Sequence, residues 1–219
     1  MAKLLIVEDH LRMAWMIQEY VQKINPLFTP ENTFCFPHRG SLELRPLCKL
    51  PNDGSRASLA GKQKDVFSKV FRFLNKWPQE DVLILIDVLL NSQNISAPSF
   101  ERYRADHEYS CELYAELLRV KNGKKVKGCG NIDPNKFYHI IYSRSDASIG
   151  VVVAVLSELS QHQSEADRNY FPKECARFEN ISWCRNGYDI TDPDFMPQEG
   201  DGVPLKLPEE YKEFIRGLK

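Results

Sequence analysis

The stretch KLLIVEDH, Lys3 to His10, runs four apolar residues straight into two adjacent carboxylates, Glu8 and Asp9. A short continuous apolar run reads as a strand covered on both faces, the kind that parallel sheets contain. A second run, DVLILID from Asp81 to Asp87, repeats the pattern and again ends on an acid. An isolated carboxylate at the end of a buried strand is unfavourable by several kcal/mol unless something compensates its charge. The two stretches therefore decide both the fold class and where its chemistry should lie.

Strand and helix signals alternate outward from these runs. Asp9 can cap a helix whose Met13, Ile17, Tyr20, Val21 and Ile24 fall at helical spacing before Pro26. TFCF, Thr33 to Phe36, reads as a second strand. Residues 37–61 hold three prolines and three glycines without periodicity and read as an inserted loop. Val66, Val70, Leu74 and Trp77, flanked by Phe67, Phe71 and Phe73, make an amphipathic helix that Pro78 stops. After Asp87 comes a loop, NSQNISAPS, and then a helix from Phe100 with Tyr103, His107, Cys111, Tyr114 and Leu118 on one face. FYHIIYS, Phe137 to Ser143, is the next strand, and Asp146 can cap a helix apolar at Ile149, Val152, Val153, Leu156 and Leu159. NISWC, Asn180 to Cys184, is the expected fifth strand, and residues 208–218 form a final helix with Tyr211, Phe214, Ile215 and Leu218 in a stripe. Such alternation predicts an α/β fold, a doubly wound five-stranded parallel sheet in one domain over residues 1–219. Extra material sits near 37–61, 91–136 and 163–179.

Composition sets limits on function. The 219 residues carry a net charge of −1 with 42% hydrophobic residues, enough for a sizeable core and too balanced for a nucleic-acid surface. The longest apolar run, VVVAVL from Val151 to Leu156, is far too short to span a bilayer, and Leu4 to Val7 is too short for a signal peptide. Six cysteines without a C-x-x-C pair fit idle, reduced thiols, so a cytoplasmic protein is expected with neither membrane nor nucleic-acid partner.

In doubly wound sheets ligands gather at the carboxyl ends of the strands. If the strands ending at Glu8–Asp9 and at Asp87 are neighbours, three carboxylates converge on one crevice, where they repel one another and lose hydration. A hard divalent cation with a preference for oxygen, magnesium above all, is the natural partner. A carboxylate beside such a cation can also act as a nucleophile toward phosphorus. Taken singly, the residues have plainer roles: Asp9 as a helix cap, Ser143 as a turn hydroxyl, Arg185 as a surface charge, His10 as a first-turn residue facing solvent, and His139 as a core histidine with its hydrogen bonds satisfied.

With those motifs in view, the chain resembles the receiver domains of two-component response regulators, which have a flavodoxin-like fold. LLIVEDH resembles the family's first strand with its acidic pair, LILIDVLLN the third strand with the phosphoacceptor, and HIIYSRSD the fourth with the switch hydroxyl. The resemblance implies that Asp87 is the phosphoacceptor, that Glu8, Asp9 and Asp87 hold Mg2+ with the backbone carbonyl of Leu89, and that Ser143 binds a phosphoryl oxygen. It also implies a histidine kinase or phosphotransfer protein upstream and a protein partner downstream. A homodimer would form through the face made by the helix from Asp146, the strand at 180–184 and the final helix. The family's fifth strand ends in a lysine; here ISWCRNG offers Arg185, with Arg144 and Lys173 as rivals, and a guanidinium is a rigid fork where an ammonium is a point charge. The family's aromatic switch position is occupied by Ser182.

Three functions follow as expectations. The first is a stand-alone, non-enzymatic signalling protein phosphorylated on Asp87 and acting through protein contacts; residues 189–208, with four prolines, are too irregular for a helix-turn-helix output domain. The alternative is a pseudo-receiver, a binding or scaffold module independent of phosphorylation, which the missing lysine and the insertions favour. A Toprim-like metal-dependent nuclease also pairs a strand-end glutamate with later aspartates, but it calls for D-x-D where this chain has Leu89 in the second acidic position.

Overall fold

The structure, a computed structural model, describes residues 1–9, 11–36, 44–49, 63–87, 100–126, 128–130, 132–142, 182–183, 205–206 and 209–219. In chain order the elements are β1 (Lys3–Val7), α1 (Leu11–Ile24), β2 (Thr33–Phe36), β3 (Arg45–Pro46), α2 (Gln63–Lys76), β4 (Val82–Asp87), α3 (Phe100–Lys121), β5 (Phe137–Tyr142), β6 (Ser182–Trp183), β7 (Leu205–Lys206) and α4 (Glu209–Gly217). Short 3-10 turns precede β2 and follow β3.

The main sheet has the order β3-β2-β1-β4-β5. β2, β1, β4 and β5 run parallel, and β3 lies antiparallel on the outer edge of β2. Leu4, Leu5, Ile6 and Val7 are wholly buried, as are Val82 to Ile86 to within one per cent, which is what an apolar run covered on both sides requires. Each such side chain contributes about 1.5–3 kcal/mol by leaving water.

The register sorts the helices onto the two faces. Leu5, Phe34, Ile84 and His139 lie side by side across the sheet, as do Leu4, Thr33, Leu83 and Tyr138 on the opposite face. Phe73 of α2 meets Phe34 edge-on at 5.0 Å, and Tyr114 of α3 meets His139 at 4.5 Å, so α2 and α3 cover the first face. Phe214 of α4 meets Tyr138 at 4.4 Å on the second. Asn25, just past α1, donates to the carbonyls of Ile215 and Leu218 at 2.8 and 3.1 Å, which holds α1 beside α4. Helices on both sides of a mostly parallel sheet make this an α/β fold.

Local signals set the helix ends. Pro26 disfavours helical backbone at Asn25, and α1 stops at Ile24. Gly123 takes φ +73° after α3, with Gly123 N–H on the Val120 carbonyl and Lys124 N–H on that of Arg119, the paired bonds of a Schellman ending. Among the described residues no helix is long and apolar enough to cross a membrane.

Two expectations about the sheet are corrected. It is mixed rather than wholly parallel, and its fifth strand is Arg45–Pro46, from the segment read as an inserted loop. Proline tolerates a sheet edge because it needs no ladder donor on the open side. Ser182–Trp183, from the expected fifth strand, pairs instead with Leu205–Lys206 in a separate antiparallel ladder. NISWC has too few consecutive apolar residues to make a strand covered on both faces, whereas a two-residue ladder asks for little. The helix expected from Asp146 and the insertion at 163–179 lie outside the described residues.

Candidate metal centre

The chain passes from β1 outward to β2 and returns to β4 on the other side of β1. The winding therefore reverses between β1 and β4, and in sheets of this kind a crevice opens at the carboxyl ends of those two strands. Glu8 and Asp9 follow β1, and Asp87 closes β4. The hydrogen bond from Glu8 N–H to the Phe36 carbonyl, 2.9 Å, extends the β1 ladder by one residue and fixes the Glu8 backbone.

Glu8 and Asp9 are each 3% exposed and Asp87 is 7% exposed. One carboxylate oxygen from each comes within 4.8 Å of the others. Two unit charges at that separation repel by roughly 3.5 kcal/mol at an effective dielectric of about 20. Three oxygen donors at this spacing suit a hard cation that takes carboxylate oxygen, so the residues fit magnesium.

The surroundings add groups that the sequence did not single out. Tyr142, at the end of β5, donates its hydroxyl to Glu8 Oε2 at 2.7 Å in a buried contact. Alternation along β5 places Tyr138, Ile140 and Tyr142 on the same face, and the pairing of Asp87 with Tyr142 carries that face to the strand-end acids. Burial, then Glu8 and Asp87, push the Tyr142 phenol well above its ordinary pKa, so it stays a neutral donor. Ser110 of α3, fully buried, donates to the Asp87 carbonyl at 2.6 Å and ties α3 to the end of β4. Cys35 donates its thiol to the Glu8 carbonyl at 3.6 Å; burial first, then Glu8 and Asp9, hold it protonated. A tyrosine or serine on an apolar face is a visible signal, but its partner is set by register between strands distant in sequence.

His139 departs from its expected role. Its ring lies 4.5 Å from that of Tyr114 and 6.0 Å from that of Phe137, and both of its nitrogens are buried and make no hydrogen bond. Burial, with Lys121 second, lowers its pKa to about 3. His10, Leu89, Ser143, Arg144, Lys173 and Arg185 lie outside the described residues. No family model matches the chain, and neither curated proteins nor solved structures provide a match.

Proposed function

We propose that this chain is a receiver-like signalling protein of flavodoxin-like fold, phosphorylated on Asp87 with magnesium and acting through protein contacts in the cytoplasm. The observation that supports it is the convergence of Glu8, Asp9 and Asp87 to within 4.8 Å at the point where the strand order reverses. Counting only the parallel strands in chain order, the sheet reads 2-1-3-4, an order that is compatible with a flavodoxin-like sheet.

In this reading Glu8, Asp9, Asp87 and the Leu89 carbonyl would hold Mg2+, which would offset the charge of the incoming phosphoryl oxygens. An oxygen of Asp87 attacks the phosphorus of a phosphohistidine on a kinase or phosphotransfer protein. The oxygen–phosphorus bond forms as the phosphorus–nitrogen bond breaks, and the imidazole nitrogen keeps the electron pair and takes a proton. The resemblance would give Ser143 a hydrogen bond to one phosphoryl oxygen and a basic residue, Arg185 by its place in the sequence, the pairing with another. The modified face then changes affinity for a downstream partner or a second copy of the chain.

The direct test is intact-mass measurement after incubation with a small phosphodonor and magnesium. The expected result is a single added phosphoryl group, absent from Asp87→Asn. A protein that stays unmodified while folded and magnesium-bound supports the second reading, a phosphorylation-independent pseudo-receiver. One observation favours that alternative: among the described residues no strand pairs with the outer edge of β5, and Ser182–Trp183 lies in another ladder. The segment that leads to Arg185 is thus paired away from the main sheet.

A further inference from the structure

We propose that Tyr142 is a positioning residue for the metal centre, its hydroxyl holding the Glu8 carboxylate in the orientation that brings it to Asp9 and Asp87. This rests on the magnesium reading of that pocket. Tyr142 is 2% exposed and Glu8 is 3% exposed, and their contact is a well-formed hydrogen bond of 2.7 Å between elements far apart in sequence. Glutamate has three rotatable side-chain bonds, and mutual repulsion drives its charge away from Asp9 and Asp87. A carboxylate offers about four lone-pair sites, so one donated bond leaves oxygen capacity for a cation.

The chemistry of the donor matters. A lysine or arginine in this place would also hold Glu8, but its charge would oppose an arriving cation. A phenol fixes the carboxylate without adding positive charge. The ring is itself held, since Tyr142 ends β5 in register with Asp87, so one strand pair positions both the acid and the tyrosine that orients its neighbour. Partners that orient a metal-binding carboxylate in this way change affinity by about 10- to 100-fold when removed.

The experiment compares magnesium affinity in wild type and Tyr142→Phe, which keeps the ring and removes only the hydroxyl. Affinity should fall at least tenfold while the metal-free melting temperature shows the variant folded. In a Glu8→Gln background, which removes the oriented charge, the same substitution should cause no further loss, an outcome that general loosening of the pocket would not give. Should Tyr142→Phe fail to fold, fluorotyrosine placed at position 142 in otherwise unchanged protein reports instead: its fluorine resonance should shift with saturation of the site. Wild type that binds magnesium, with an equal or tighter Tyr142→Phe or an unmoved fluorine signal, overturns the positioning role and leaves the metal site standing. Wild type that does not bind magnesium overturns the site and the role of Tyr142 together.

Discussion

Replacing Asp87 with asparagine should make the metal-free protein more stable. The substitution keeps the side chain's shape and removes one of three mutually close charges, so two of the three repulsive pairs disappear. At 4.8 Å and an effective dielectric of about 20, each pair is worth roughly 3.5 kcal/mol, a gross relief of about 7 kcal/mol. The net effect has a lower ceiling. Further interactions made by Glu8, Asp9 and Asp87 offset part of that gross figure. Shifts of the side chains reduce the figure further. A gain of about 1–4 kcal/mol is therefore expected at pH 7 without divalent metal. Urea denaturation in a chelating buffer reads it directly, provided the slopes of the two transitions match. Magnesium should raise the stability of wild type and narrow the gap, because it binds the native form of wild type more tightly than that of the variant. A variant less stable than wild type without metal would show that Asp87 is held by attraction rather than opposed by repulsion, and would refute the electrostatic account of the pocket.

His139→Phe should stabilise the protein by about 1 kcal/mol at neutral pH, since it removes buried nitrogens that make no hydrogen bond and keeps a ring against Tyr114. The histidine pKa falls from 6.5 in the unfolded chain to about 3 in the folded one, so wild-type stability is full above about pH 6.5 and declines as pH falls toward 3, by up to ~1.4 kcal/mol per pH unit. Denaturation at a series of pH values should show a shallower acid-side decline in the variant; superimposable curves would contradict a neutral histidine with buried ring nitrogens. Asn25→Ala should cost about 2 kcal/mol by removing the donor to the Leu218 carbonyl and one of the two donors to the Ile215 carbonyl, which keeps Leu218 N–H, and amide exchange should rise selectively in α4. Unchanged exchange there would mean that Asn25 does not tie α1 to α4.

Apolar patterning carried most of the fold. β1 and β4 were legible because wholly apolar runs of four and five residues have few other uses, and α2 because Val66, Val70 and Leu74 repeat at helical spacing and are buried. β3 was not, since Arg45–Pro46 has no pattern and is recruited by the open edge of β2. The ladder of Ser182–Trp183 with Leu205–Lys206 joins two short segments that carry no mutual signal. At the site, Glu8, Asp9 and Asp87 could be brought together from the sequence once their strands were taken as neighbours. Tyr142 and Ser110 could not be placed, because their hydroxyls find Glu8 and Asp87 only through strand register and helix placement. Position inside a strand marks His139 as a core histidine but does not reveal that its ring neighbours are aromatic and that its nitrogens go without hydrogen bonds.

The measurement that bears most directly on the central claim is a count of bound manganese, a paramagnetic substitute for magnesium, by electron paramagnetic resonance of the free ion. The account predicts one ion per chain, displaced by excess magnesium and lost when Glu8, Asp9 and Asp87 are all replaced by their amides in a protein that remains folded. Absence of stoichiometric binding to the folded wild type, or binding that survives the triple replacement, would contradict it.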